Sequence, residues 1–147
     1  MSEPRLILVK HAMPAIDPAL PSAQWPLSEG GRAAAAALAE KVRPLAPQRL
    51  AASTEPKAEE TAIAMALVLG LPVTLDPSFV EHRRPQADFG DREAFEAKVK
   101  ALFDRPSERA FGAESADEAH ARFTTALTVH RMDPSPLMVV SHGTVIT

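Results

Sequence analysis

Short unbroken apolar runs alternate along this chain with longer stripes at helical spacing. Leu6-Ile7-Leu8-Val9 and Leu137-Met138-Val139-Val140 are continuous apolar runs. They are too short for buried helices and suit strands covered on both faces, as in a parallel sheet. Leu50-Ala51-Ala52-Ser53 and Val73-Thr74-Leu75 read as weaker strands. Ser28 is placed to cap a helix whose Ala35, Leu38 and Val42 share one face and which Pro44 and Pro47 end. Pro56 suits the first turn of a second helix, with Ala58, Ala62, Met65 and Leu69 on its stripe and Gly70 and Pro72 as its stop. Phe95, Val99 and Leu102 mark a third helix, broken at Arg105-Pro106. Ser115 and Glu118 make a capping box for a fourth, carried on by Ala119, Phe123 and Leu127 and closed by Pro134 and Pro136. Pro14, Pro18, Pro21 and Pro26 make residues 12–27 a loop, and residues 76–92 read as irregular.

Strands alternating with helices predict an α/β layer fold with a largely parallel sheet. Ligands of such sheets sit beyond the carboxyl ends of the strands. Here the first strand runs into Lys10-His11 and the last into Ser141-His142-Gly143. Two histidines at two buried strand ends are thus expected to face each other across one pocket.

With 147 residues, no internal repeat and no biased linker, the chain reads as a single domain over 1–147. Its formal net charge of −3 offers no general attraction to nucleic acid or an anionic membrane, so any anion site must be local. The absence of cysteine excludes disulfides, thiolate catalysis and cysteine zinc sites. Residues 1–5 lead into too short an apolar run for a signal peptide, and none approaches the roughly 20 residues needed to span a bilayer. A soluble cytoplasmic protein is the expectation.

Several residues suggest chemistry, each with a plain structural alternative. His11 beside Lys10 is either a nucleophilic imidazole next to a cation or a structural histidine at a strand end. Gly143 permits a close backbone approach or an unusual dihedral, and Thr144 would begin a helix whose first N–H groups attract phosphate. Lys57 is a point charge for phosphate or a solvated lysine. Glu81, in a loop before His82, is a proton donor to a leaving oxygen if its environment favours the acid form, and otherwise an ordinary loop glutamate.

Together these pieces resemble the histidine phosphatase (phosphoglycerate mutase-like) superfamily. Lys10-His11-Ala12 is similar to its Arg-His-Gly signature, and Leu27-Ser28-Glu29-Gly30-Gly31-Arg32 to its Leu-Ser-x-x-Gly helix start. The stretch Ser53-Thr54-Glu55-Pro56-Lys57-Ala58-Glu59-Glu60-Thr61-Ala62 resembles its Ser-Ser-x-x-x-Arg-Ala-x-x-Thr-Ala segment. Glu114-Ser115 with Arg122 resembles its Glu-Ser…Arg helix, and Val140-Ser141-His142-Gly143 its second histidine motif. The resemblance implies a three-layer α/β/α sandwich with a mainly parallel central sheet, shortened at the C-terminus. It implies a metal-independent, cofactor-free phosphatase acting on phosphomonoesters or phosphohistidine. His11 would carry the phosphoryl group, Glu81 would serve as acid and then base, and His142, Lys10, Lys57 and Gly143 would hold the phosphoryl oxygens.

Lys10 and Lys57 replace two arginines of the family pattern, keeping charge and losing the bidentate fork. Ala12 replaces its glycine, as in smaller members such as phosphohistidine phosphatases. The sequence ends at Thr147, where the family continues with a helix, so truncation or a partner chain, such as a homodimer mate, is expected to account for the missing face. These departures motivate a second reading, a weak or inactive phospholigand-binding or interaction protein. A third, a metal hydrolase using His11, His82 and His142, ranks lowest. The expected partner is a small phosphorylated substrate or a phosphohistidine protein, with no nucleic acid or membrane. Apolar Met13, Ile16 and Trp25 are candidates to pack an organic substrate group, with the core as the alternative place for Trp25.

Overall fold

Every pairing between strands among the described residues is parallel, as the unbroken apolar runs predict. The computed structural model describes residues 5–84 and 91–147; residues 1–4 at the start, and 85–90 of the expected loop, lie outside the described part. The strands are β1 (Leu6–Lys10), β2 (Arg49–Ala52), β3 (Val73–Leu75) and β4 (Leu137–Ser141). They form one sheet in the order β1-β4-β2-β3, so the last strand inserts between the first two. The helices are α1 (Glu29–Val42), α2 (Pro56–Leu69), α3 (Arg92–Asp104), α4 (Ala116–His130) and the single turn α5 (Gly143–Ile146). Their predicted caps are present. Ser28 accepts from the Gly31 N–H, and Ser115 and Glu118 form the reciprocal capping box.

The period-2 alternation of strand side chains builds three layers. Leu50, Ala52, Met138 and Val140 face one side, where they join Val9 and the small residues Ala35, Ala39, Ala58 and Ala62 of α1 and α2. Ala51, Leu137 and Val139 face the other, against Phe123 and Ala126 of α4. Burying each larger aliphatic contributes roughly 1.5–3 kcal/mol. This is the α/β/α sandwich that the sequence implies. No helix among the described residues is long and apolar enough to cross a membrane.

Two expected loops carry more structure than punctuation residues reveal. The first is pinned by a bridge between Pro14 and Leu27 and contains a 3-10 turn, Ser22–Gln24. The second holds a 3-10 turn, Pro77–Phe79, that drives Phe79 fully into the core against Phe123, ring centres 5.1 Å apart. The short pair Phe79-Val80 has no period, so the burial of Phe79 is a tertiary effect.

Glycine is required at one point on α1. A Cβ on Gly31 would stand 2.3 Å from the Met13 carbonyl oxygen, whereas one on Gly30 would meet nothing within 4 Å. Gly31→Ala is therefore expected to destabilise the fold by about 1–3 kcal/mol, from overpacking against backbone. Gly30→Ala should be neutral or stabilise by up to about 1 kcal/mol, from helix propensity. Urea midpoints of the two variants test the pair, and equal effects would contradict this packing.

Candidate active site

Parallel register delivers the two histidines to one place. Lys10 pairs with Ser141 across β1 and β4, and Ala52 with Val140 across β2 and β4. The ladder continues one step past the strands, with the His11 N–H donating to the Ser141 carbonyl at 2.9 Å and the Ser53 N–H to the Val140 carbonyl at 3.0 Å. His11, His142 and Ser53 thus leave three adjacent strands side by side. The two imidazole rings lie 5.2 Å apart, centre to centre, at an interplanar angle of 60°.

Their surroundings fix their protonation. His11 Nδ1 lies 2.8 Å from the Ala12 carbonyl. A carbonyl only accepts, so Nδ1 carries the proton and Nε2 keeps its lone pair. Burial first, then the charges of Lys57 and Lys10, hold His11 below the usual histidine range. Burial, then His11 and the nearby Lys57 and Arg84, push His142 down to about 2. His142 is fully buried, with Nε2 2.8 Å from Ser53 Oγ and 3.0 Å from Glu55 Oε2. Its Nδ1 has no hydrogen-bond partner among the described residues. An unpaired buried acceptor costs less than an unpaired donor, so the proton belongs on Nε2.

Above the rings opens a cleft of about 660 Å3, lined by Lys10, His11, Glu55, Lys57, Glu81, Arg84 and Gly143 among others. Lys57 is buried, and its ammonium donates to the Ser22 carbonyl at 2.6 Å and to Ser22 Oγ at 3.0 Å. An ammonium has three donors, so one remains. Burial lowers its pKa, with Glu55 opposing. Lys10 runs its stem over Gly143, where a Cβ would stand 3.4 Å from Lys10 Cε. Gly143 has no positive φ, and a Cβ there would make only ordinary contacts with the Lys10 stem, so neither an unusual dihedral nor a close approach demands glycine here. Trp25 lines one wall, hydrogen-bonded through Nε1 to the Asp17 carbonyl at 2.9 Å. Phe95, Val99 and Phe103 of α3 line another. Met13 and Ile16 are 65% and 64% exposed and do not line the cleft.

Two carboxyl groups share the floor. Glu81 accepts the N–H groups of Val145 at 2.8 Å, His82 at 2.8 Å and Thr144 at 3.1 Å, and pairs with Arg84 at 3.3 Å. The α5 amides that the sequence reading offers to phosphate are therefore present, but those of Thr144 and Val145 are already bonded to Glu81. Glu55, which carries no signal in the sequence, takes the Glu81 N–H at 2.7 Å and lies 3.6 Å from Lys57 Nζ. Burial raises its pKa, with the Glu81 N–H and Lys57 opposing.

The Glu-Ser…Arg motif builds the support for this floor. Arg122 grips both oxygens of Glu114 at 3.0 and 2.8 Å, and donates to the carbonyls of Ser78 at 2.7 Å and Val80 at 2.9 Å. That buried fork holds the segment carrying Glu81. His82 lines the same cleft but its ring is bonded elsewhere. Its Nε2 bonds the Glu114 carbonyl at 2.5 Å, and its Nδ1 accepts from Arg84 at 3.4 Å. Both ring nitrogens being engaged, His82 does not join His11 and His142 as a metal ligand. Among the described residues no three metal-ligating side chains converge. Arg84, also unmarked in the sequence, is seated on Phe95 and Phe111 and donates to Thr144 Oγ1 at 3.0 Å.

The sequence profile of the histidine phosphatase superfamily (branch 1) matches residues 6–147. No curated protein matches the chain. Mycobacterial glucosyl-3-phosphoglycerate phosphatase Rv2419c, solved with inorganic phosphate, superposes with a TM-score of 0.76 at 21% identity, over 99% of this chain and 75% of that one. YhfR of Bacillus stearothermophilus gives 0.67 at 21% identity, over 96% and 75%. SixA of Agrobacterium tumefaciens gives 0.60 at 16% identity, over 97% and 71%. At these identities the likeness is one of fold.

Three histidines held neutral by burial make stability depend on pH. Below about pH 6.5 the unfolded chain binds protons that folded His11, His82 and His142 refuse. Stability rises with pH wherever the unfolded state binds more protons, so it falls as the solution is acidified from pH 7 to pH 5. For His142 this window extends down to about 2. Its share of the slope is one proton, about 1.4 kcal/mol per pH unit. Urea unfolding at several pH values should show the fall, and His142→Gln should flatten it by that amount. An unchanged slope in the variant would contradict a neutral buried His142.

Proposed function

The chain belongs to the histidine phosphatase superfamily, and on that premise we propose that it is a metal-independent hydrolase of phosphomonoesters or phosphohistidine that carries the phosphoryl group on His11. The observation that supports this most strongly is the tautomer of His11. Its Nδ1–H is committed to the Ala12 carbonyl, so the Nε2 lone pair is the nucleophile, beside a second imidazole 5.2 Å away. Phosphoryl transfer asks mainly for in-line positioning and positive charge around the equatorial oxygens. Lys10 and the remaining donor of Lys57 answer that need here, and the Nε2–H of His142 joins them on leaving Ser53 Oγ and Glu55 Oε2. A carboxyl of the cleft protonates the leaving oxygen and then activates water, which splits hydrolysis into two displacements at one nitrogen. The substrate is a small phosphorylated molecule of the cytoplasm, or a phosphohistidine protein, whose organic part packs against Trp25 and the α3 wall. The phosphatase descriptions of structural relatives such as Rv2419c agree with this reaction class.

The alternative, a scaffold that binds phospholigands with little or no turnover, is favoured by one detail. Lys57 stands in place of a guanidinium and already spends two donors on Ser22. Phosphate binding without turnover, with turnover gained by Lys10→Arg, is the pattern that reading requires.

Rapid-quench labelling with a radiolabelled phosphomonoester separates the two. The hydrolase reading expects acid-labile, base-stable phosphate on the wild-type protein and a loss of at least about 10³-fold in turnover for His11→Ala, as for loss of a nucleophile elsewhere. Equal, slow phosphate release from both proteins would overturn it.

A further inference from the structure

We propose that the cleft takes small phosphomonoesters whose ester oxygen carries a flat apolar group, in preference to hydroxylated esters such as sugar phosphates and to the phosphohistidine of a folded protein. This deepens the hydrolase reading and rests on His11 as the phosphoryl carrier. The observation behind it is a helix stripe that the core leaves uncovered. Phe95, Val99 and Phe103 recur every four residues on α3, the spacing of one helix face. Yet α3 buries only Leu102. Phe95 and Val99 are half-buried, and Phe103 is 41% exposed. All three line the same cleft as His11. An uncovered apolar stripe that is continuous with a reactive nitrogen is the place of a ligand's apolar part.

The loop over residues 12–27 supplies another apolar wall, with Pro14, Pro21 and Trp25. The single N–H of the indole is spent on the carbonyls of Asp17 at 2.9 Å and Leu20 at 3.1 Å. What Trp25 shows the cleft is therefore ring carbon. Lys57 Nζ stands 5.7 Å from the centre of that ring. A group carried directly on the ester oxygen of a phosphoryl held by Lys57 is thus within reach of the indole. Aromatic faces favour a flat partner. The hydroxyls of the lining are already engaged. Ser22 Oγ accepts from Lys57 at 3.0 Å and Thr144 Oγ1 from Arg84 at 3.0 Å, while Thr147 Oγ1 donates to the Gly143 carbonyl at 2.7 Å. A sugar hydroxyl that leaves water for these walls gains little in return, which costs affinity. The volume of about 660 Å3 is that of a small-molecule site. A histidine ring hangs from its backbone by one methylene, so a phosphohistidine of a folded protein would have to bring main chain between the walls.

Phosphonates, which cannot be hydrolysed, separate recognition from turnover. Calorimetry on the wild type should find 2-phenylethylphosphonate bound about 10- to 100-fold more tightly than ethylphosphonate, the worth of burying one aromatic group. The 2,3-dihydroxypropyl analogue should bind no better than ethylphosphonate. Phe103→Ala removes an exposed side chain, so the variant should fold, and it should narrow the gap between the phenylethyl and ethyl compounds. Equal affinities of those two for the wild type, a gap that Phe103→Ala leaves unchanged, or tighter binding of the dihydroxypropyl compound would each overturn the proposal. So would a higher kcat/KM on a phosphohistidine-bearing protein than on 2-phenylethyl phosphate. The reading of His11 is tested separately on 2-phenylethyl phosphate. If His11→Ala hydrolyses that ester as fast as the wild type, the phosphoryl carrier is misassigned, whatever the phosphonate affinities.

Discussion

Everything at this site depends on the parallel alignment of three strand ends. With β4 inserted between β1 and β2 and Lys10 opposite Ser141, the residues following each strand have no choice but to emerge together. The apolar layers above and below the sheet hold that alignment, because a one-residue slip would turn Met138 and Val140 from one core to the other. The same burial that fixes the register strips water from the imidazoles. Desolvation is the largest influence on both His11 and His142, and it keeps them neutral. Packing and chemistry are therefore one constraint: the core that orders the strand ends also sets the protonation that a nitrogen nucleophile needs.

The charges around those rings balance each other before any ligand arrives. Lys57 stands near Glu55 and Arg84 against Glu81, both pairs largely shielded from solvent. A single remaining ammonium donor and the stem-packed Lys10 replace the planar forks that two guanidinium groups would bring. The buried Arg122–Glu114 fork holds the Glu81 segment in place.

Much of this was legible in the sequence because it is periodic or local. The strands announce themselves as apolar runs, and α1 and α4 by their serine caps. His11 and His142 are marked by where their strands end. What escaped has no period. Phe79 belongs to a two-residue apolar pair with Val80, too short to show a period, yet it fills the core. Glu55 precedes a proline in a turn, where a carboxylate is ordinarily solvated. Arg84 draws its place from Phe95 and Phe111, which are remote in the chain. The engagement of the Thr144 and Val145 amides by Glu81 joins a loop and a helix more than 60 residues apart, a pairing that spacing does not encode.

The central claim is that the His11 Nε2 lone pair and the His142 Nε2–H, on leaving Ser53 and Glu55, address the same tetrahedral anion. A crystal structure with vanadate tests it directly. The account expects vanadium bonded to His11 Nε2, with its oxygens in hydrogen-bond reach of His142 and Lys57. Vanadate bound elsewhere in the cleft, with His11 Nε2 free or turned away, would contradict it.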